Sequence, residues 1–498
     1  MKRFPCVLGI DAGTESVRAV LFDEQGHALG EGCAAYATHF VRPGWAEQHP
    51  QEVWEALLSA LRDVIAAVPS ADIVSCCLVS TAVTVVTVDR HGNAFGSAIL
   101  WMDTRASEEA AEINRTGHPA LWYTGQAVSP EWMLPKALWL KRHEPERFQQ
   151  ASYLVELHDW LLYRLTGVWA LSLATISGEW SYVRERGGWP LDLLEVLDLA
   201  ALPQKWPTNI LQAGQLVGYL QREVATATGL SAGLPVAQGL MDSYGASIAA
   251  NIFVSGRLSL SLGSSSSYLG LIERPTSDPR LLGPVPDVFG LDTWAMQGGQ
   301  TSAASLLRWF RDQLAPGMSY AILDHEASTL PPGSDGLCAL DTWQGSRTPH
   351  RDPSSRGSFW GLNLGHTRAH LYRALLESVA YGGRQIIEAM QDAGVQTEQI
   401  VACGGGSRSP LWMQIHADIL GKPITVLDEP HAAALGAAIC AATAANWYDQ
   451  IQAAAPALTH LGQIFFPNPE HQQVYQQGYQ HYQAGYLAHR QLLESSRA

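Results

Sequence analysis

Residues 9–23 read GIDAGTESVRAVLFD, and the rest of the chain is organised around them. An apolar run (Cys6, Val7, Leu8, Ile10) enters an Asp-Ala-Gly-Thr turn, and an alternating run (Val17, Ala19, Leu21 against Arg18, Val20, Phe22) leaves it. That pattern predicts a β-hairpin. Its turn carries Asp11, Gly13, Thr14 and Ser16, so backbone N–H groups and hydroxyls can be aimed at an anionic phosphate. Asp11 faces the same spot and would repel a phosphate unless a divalent cation lay between them. An ordinary glycine-containing hairpin tip is the competing reading of this stretch.

The pattern recurs at residues 257–272, RLSLSLGSSSSYLGLI: an alternating strand, a small-residue turn (Gly263, Ser264, Ser265, Ser266) and a second apolar strand. Two copies of one hairpin, each opening a long α/β segment, point to duplicated domains that hold a nucleotide's phosphates. The layout resembles the actin, hexokinase and heat-shock ATPase superfamily. The resemblance implies an α/β fold of two actin-like, ribonuclease H-like domains around a central cleft. The division expected is residues 1–247, with the first phosphate loop, the sugar site and the catalytic Asp, and residues 248–498, with the second phosphate loop and the adenosine site.

Composition agrees. A chain of 498 residues exceeds the size at which one core keeps growing, and 47% hydrophobic with 16% charged residues describes a folded protein. The formal net charge of −15 argues against nucleic acid or an anionic membrane as the main partner, since both need a basic face. A small-molecule substrate fits better. No stretch approaches 18 uninterrupted apolar residues, and MKRFPCVLGID runs straight into a strand with no signal-like segment. The seven cysteines are odd in number, lack CxxC spacing and sit mostly in apolar runs. They are expected to be reduced core residues of a cytoplasmic protein.

Along the chain, Val53, Trp54, Leu57, Leu58, Leu61, Val64 and Ile65 repeat at helical spacing, and Ile73 to Val88 reads as β-branched strand, turn and strand. A strand over Ala98 to Trp101 delivers WMDTR, which places Trp101, Asp103 and Arg105 to meet a polar substrate at a strand end. The bland alternative for Asp103 and Arg105 is a surface ion pair. Pro130 and Pro135 start a helix containing Lys136, and ELHDWLLYRLTG is a helix ended by Gly167. Leu171 to Trp189 has little periodicity and is expected as a loop packing aromatic faces. The strand at Val236 delivers Asp242, after which a small-residue helix begins. A Gly-Gly-Gln turn is expected at 298–300, and a long helix from His366. Gly404, Gly405 and Gly406 let a ring or phosphate approach the backbone, with Ser407 or Ser409 capping the next helix. The tyrosine stripe of the last helix reads as packing.

Taken together, these residues resemble the FGGY family of carbohydrate kinases over nearly the whole chain. The matching segments are DAGTESVRAVLFD, WMDTR, PKALWL, MDSYGA, LSLGSSSS, GSFWGLNLGHTRAHLYRALLES and CGGGSRSPLWMQIHADILGKPI. The resemblance implies Asp242 as the base that deprotonates the attacking sugar hydroxyl and Asp11 near Mg2+. It implies ATP contacts from Gly13, Thr14, Glu15, Ser16, Arg18, Gly263, Ser264, Ser265, Gly404, Gly405, Gly406 and Ser407. Sugar contacts fall to Thr81, Trp101, Asp103, Arg105 and Asp242. Phosphoryl transfer needs in-line positioning, charge neutralisation and a carboxylate for the alcohol proton, and the two acids supply the last two. The expected activity is ATP- and Mg2+-dependent phosphorylation of a terminal hydroxyl, with a ketopentose of the xylulose or ribulose type first. A polyol or tetrulose is the alternative, and an actin- or chaperone-like ATPase the rival from another class. Xylulose kinases carry Gln-Met-His-Gly where this chain reads Ser80-Thr81-Ala82-Val83, which weakens the case for D-xylulose. A homodimer is compatible with the family.

Overall fold

The computed structural model describes residues 4–495. It divides into two compact units, neither continuous in sequence. The first runs from the N-terminal strand to Asn251 and takes in Gly283–Ala295 and His431–His460; the second holds Ile252–Leu282, Met296–Pro430 and the chain from Leu461.

In the first unit the hairpin strands Phe4–Ala12 and Ser16–Phe22 pair antiparallel, and Ala28–Ala35 adds the third strand on the same edge. On the other side Ala71–Ser80 pairs parallel with Phe4–Ala12, followed by Pro235–Ala237 and Leu216–Tyr219, completing a six-stranded sheet. Val7, Leu8, Ile10, Leu78 and Val79 are buried to 1% exposure or less, which accounts for the near-continuous apolar runs of these central strands. The helix Pro50–Ala67 turns its Val53, Leu57, Leu61 and Val64 stripe inward.

The helix Ala432–Ala444 returns from late in the chain to this unit. Ser75 Oγ donates to the Ala441 carbonyl at 2.6 Å. A Cβ at Gly436 would lie 2.0 Å from the Gly245 carbonyl oxygen, so only glycine lets this helix meet the helix Asp242–Ala249 backbone to backbone.

The second unit repeats the order. Trp294–Gln300, Ser266–Ile272, Arg257–Leu262, Gln399–Cys403, Ile424–Leu427 and Leu461–Phe465 follow one another in the sheet. Arg257–Leu262 again pairs antiparallel with its hairpin partner and parallel with the strand after it. The long helix Arg368–Asp392 packs here, and Tyr475, Tyr479, Tyr482 and Tyr486 of the terminal helix are all buried, as the stripe predicts.

Two local expectations are corrected. Residues 298–300 do not turn; they end the strand Trp294–Gln300, where a Cβ at Gly299 would lie 2.5 Å from the Ser266 carbonyl oxygen. The glycine serves close strand approach. The Leu171 to Trp189 stretch is not simply loop. It contains the helix Leu173–Glu179, which periodicity cannot reveal because nearly every residue in it is buried.

Candidate functional site

Strand register brings the first unit's site together. Asp11 stands opposite Val79 and Ala12 opposite Ser80, while Ser80 bridges Met241 in parallel. The ends of three neighbouring parallel strands therefore set the Asp11 turn, Thr81 and Asp242 side by side, where ligands collect in open α/β sheets. The Thr81 N–H donates to the Ala12 carbonyl at 3.1 Å, and its hydroxyl lies 3.2 Å from that of Thr84.

Asp11 and Asp242 are both half-buried. Burial pushes Asp11 up to about 7, with the charge of Asp242 adding to the shift and Arg18, its cross-strand partner, opposing it. Burial likewise pushes Asp242 up to about 6, against a hydrogen bond of 2.6 Å from the Ser243 N–H. Asp11 Oδ1 is buried and has no hydrogen-bond partner. Two carboxylates that raise their proton affinity in this way form a site prepared for a positive charge.

The hairpin tip is held from outside by two residues the sequence reading did not single out, Gln48 and Tyr36, and by Trp101, which it did. Gln48 Nε2 donates to the Thr14 carbonyl at 2.7 Å, the Tyr36 hydroxyl donates to the Gly13 carbonyl, and Trp101 Nε1 donates to Thr14 Oγ1 at 3.1 Å. Gly13 N–H closes the turn onto the Ser16 carbonyl at 3.1 Å. Glu15 and Arg18 are exposed.

Asp103 and Arg105 are not a surface pair, because both side chains are 0% exposed in their 2.7 Å contact. Asp103 also accepts from the Ala46 N–H at 2.7 Å and the Arg105 N–H at 2.9 Å, and Arg105 reaches Glu47 at 2.8 Å. The guanidinium stacks 3.8 Å above the Trp45 ring. Their bonds tie the Trp45–Gln48 strand, and through Gln48 the Thr14 carbonyl, to the WMDTR segment.

Lys136 is fully buried and donates to the carbonyls of Val83 at 2.6 Å and Leu100 at 2.8 Å. Burial pulls it down to about 8, with the charge of Asp103 the strongest force opposing that shift. Val83 sits at φ 45°, an unusual conformation for a β-branched residue. Its N–H is held at 3.1 Å by Glu156, which burial and the charges of Asp159 and Glu179 push well above the usual carboxylate range. Lys136 and Glu156 thus fix the turn that follows Thr81. Lys136 was visible in the PKALWL segment; Glu156 carried no local signal.

In the second unit Ser261 pairs with Cys403, so the Gly263–Ser265 turn and the Gly404–Ser407 turn leave adjacent parallel strands together. Gly404 lies at φ +89°, and a Cβ there would approach the Leu262 carbonyl oxygen to 2.8 Å. Gly405 has nothing within 4 Å of the equivalent position and is open to a planar group. Ser407 Oγ turns back to the Gly404 carbonyl at 2.7 Å, while Ser409 caps the helix Pro410–Leu420 through Trp412 N–H at 3.1 Å. The Gly263 N–H donates to Ser265, and the Ser264 carbonyl accepts from Ser305 Oγ at 2.7 Å.

Paired hairpins on duplicated sheets, with acids and glycine turns at the strand ends, define a nucleotide-dependent phosphotransferase of the actin-like class. Residues 6–249 match the N-terminal domain, and residues 258–445 the C-terminal domain, of the FGGY family of carbohydrate kinases. The chain belongs to that family and is a sugar kinase, a phosphotransferase that uses ATP and an alcohol acceptor. It is 32% identical to a ribulokinase of Shouchella clausii, with 97% of this chain and 94% of that one aligned. It is 28% identical to a xylulose kinase of Bacillus subtilis, over 94% of each. The crystal structure of a xylulose kinase from Rhodospirillum rubrum superposes with a TM-score of 0.87 at 29% identity, covering 98% of this chain and 100% of that one. Family membership sets aside the ATPase that drives a partner protein.

Proposed function

We propose that this kinase transfers the γ-phosphoryl group of ATP to a terminal hydroxyl of a ketopentose of the ribulose or xylulose type. The observation that carries the reading is the convergence of Asp11, Thr81 and Asp242 at adjacent strand ends. The names of the relatives support the pentulose class. Asp242 is the base: a carboxylate raised to about 6 is ionised at neutral pH yet basic enough to take the alcohol proton as the phosphorus–oxygen bond forms.

Asp11 is assigned to Mg2+. The orphaned, buried Asp11 Oδ1 and the nearby Asp242 charge make an all-oxygen donor set that suits a hard divalent cation. Such an ion supplies charge neutralisation on the transferring phosphates. Gly13, Thr14, Glu15, Ser16 and Arg18 are assigned to the phosphates from the first hairpin, and Gly263, Ser264 and Ser265 from the second. Gly404 to Ser407 are assigned to adenosine, with the open face of Gly405 in support. Thr81 and Trp101 are assigned to the sugar; Asp103 and Arg105 act on it by fixing the strand and turn that surround it.

The Ser80–Val83 segment, which lacks the Gln and His of xylulose kinases, weighs against D-xylulose itself, and a tetrulose or polyol stays the second reading. The seven free thiols support a reducing, cytoplasmic setting. ADP release coupled to a panel of pentuloses, tetruloses and polyols tests the proposal: the highest kcat/KM is expected for a pentulose, and a preference of tenfold or more for a polyol refutes that part of it.

A further inference from the structure

Two histidines and a glutamate outside every role assigned above meet in the first unit. The strand His39–Arg42 is the edge of a five-stranded sheet and pairs antiparallel with Trp45–Gln48, His39 standing opposite Glu47. His49 follows directly on Gln48, and the helix Pro50–Ala67 begins at the next residue with Glu52 in its first turn. The open end of a hairpin and the start of a helix are thus folded onto one point. A ring nitrogen from each histidine and a carboxylate oxygen of Glu52 all lie within 4.8 Å of one another. The two rings stand 5.0 Å apart and are tilted by 51°, so they are not stacked face to face.

The fold makes little other use of these side chains. His39 Nε2 is buried and has no hydrogen-bond partner, whereas a buried ring nitrogen normally finds one. His49 occupies the position before the helix, but its side chain makes no cap bond. His49 and Glu52 are exposed, so an ion can reach the cluster from solvent and both side chains can rotate onto it. Bonds of ~2.0–2.2 Å around a tetrahedral ion set its ligand atoms about 3.4 Å apart, so rotations that move atoms by about 1 Å close the site.

We propose that His39, His49 and Glu52 bind a divalent cation of the zinc class, His39 through Nε2, and that the ion braces the first hairpin's tip. Two imidazoles and one carboxylate select Zn2+ over Mg2+, which prefers an all-oxygen set, and three protein ligands leave a fourth position to water. The ion joins the chain at the residues next to Thr38 and Gln48. Those two hold the tip: Gln48 Nε2 donates to the Thr14 carbonyl at 2.7 Å and to Thr38 Oγ1 at 2.9 Å, and Thr38 Oγ1 donates to the Thr14 carbonyl at 3.4 Å. A metal bridge from His39 to His49 fixes that pair and so preorganises the turn that receives phosphate. The brace rests on the assignment of this turn to the phosphates of ATP given above; the metal site does not.

Isothermal titration of the full chain with Zn2+, in a phosphine reductant and millimolar Mg2+ without nucleotide or sugar, tests the site. Wild type is expected to bind one equivalent more than the His39→Ala/His49→Ala double variant, with a Kd of ~10 µM or tighter. Glu52→Gln keeps an oxygen but loses the charge and should weaken that equivalent about 3- to 10-fold. Zinc should raise the Tm of wild type by occupying the site and leave the double variant unmoved. Co2+ in place of Zn2+ should give the visible bands of a tetrahedral site without the thiolate charge-transfer band that capture by a cysteine produces. In ADP-coupled turnover, buffered free Zn2+ should lower the wild-type KM for ATP about 2- to 5-fold and leave the double variant unmoved, while Gln48→Leu should raise that KM with or without zinc. Equal zinc stoichiometry and affinity in wild type and double variant, or a cobalt spectrum dominated by thiolate, overturns the site. Loss of the equivalent with the ATP KM insensitive to zinc, where Gln48→Leu does raise it, overturns the brace alone. A wild-type ATP KM in Gln48→Leu overturns the role of this turn in holding phosphate, and with it the brace, while the zinc stoichiometry still supports the site. A kinase that turns over no pentulose overturns the acceptor assignment and leaves the metal site standing.

Discussion

Replacing Asp11 by Asn should stabilise the nucleotide-free protein while abolishing its response to Mg2+. Asp11 rises from 3.8 to about 7 in the fold. A carboxyl whose folded pKa lies above its unfolded value binds more protons in the native state, so wild-type stability falls as pH rises from about 4 through about 7. At about 1.4 kcal/mol per pH unit the full shift corresponds to about 4 kcal/mol. Asp11 is only half-buried, and solvent screening reduces the realised penalty to about 1–2 kcal/mol. The neutral amide of the variant escapes it. At pH 8 the variant should therefore melt about 2–8 °C above wild type, on the scale of about 2–4 °C per kcal/mol for a domain of this size. At pH 5 the difference should shrink. Millimolar Mg2+ should raise the wild-type Tm at pH 8 by occupying the site, as ligand linkage requires, and leave the variant unmoved. Differential scanning fluorimetry across pH 5 to 8, with and without Mg2+, reads all of these. A variant less stable than wild type at pH 8, or one with a wild-type Mg2+ response, would refute the argument and make Asp11 a structural turn residue.

Asp242→Asn should lower kcat by at least ~10²-fold with nucleotide affinity nearly intact, because the only duty proposed for this carboxylate is proton removal; isothermal titration with ATP separates the two effects. Asp103→Ala leaves the buried Arg105 guanidinium facing Glu47 alone, and breaking a buried pair costs about 3–5 kcal/mol, so urea denaturation should show a loss on that scale rather than a selective rise in sugar KM. Lys136, pulled down to about 8, holds the Val83 turn through its ammonium. It loses that proton above pH 8, so the sugar KM should climb there in wild type and stay flat in Lys136→Met, as steady-state profiles from pH 6.5 to 9.5 would reveal. Ser409→Ala removes the cap of the helix Pro410–Leu420 and should cost about 1 kcal/mol in chemical denaturation.

The sequence alone determined both hairpins, the helices around the sheets and the strand ends that carry Asp11 and Asp242. Those features are written in short-range periodicity and turn chemistry, which act over a few residues whatever the rest of the chain does. Tertiary structure alone decided three things. It returned Ala432–Ala444 to the first unit, because the small residues that let Gly436 meet Gly245 specify close contact but not with which partner. It turned Asp103 and Arg105, which the strand end places to meet a polar substrate, into a buried clamp on Ala46 and Glu47. It also set the short helix Leu173–Glu179, nearly every residue of it buried, inside the aperiodic Trp-rich stretch, where an alternation of polar and apolar residues has no face to mark. In each case the deciding contact joins residues far apart in sequence, and local patterning holds no record of what lies across the interface.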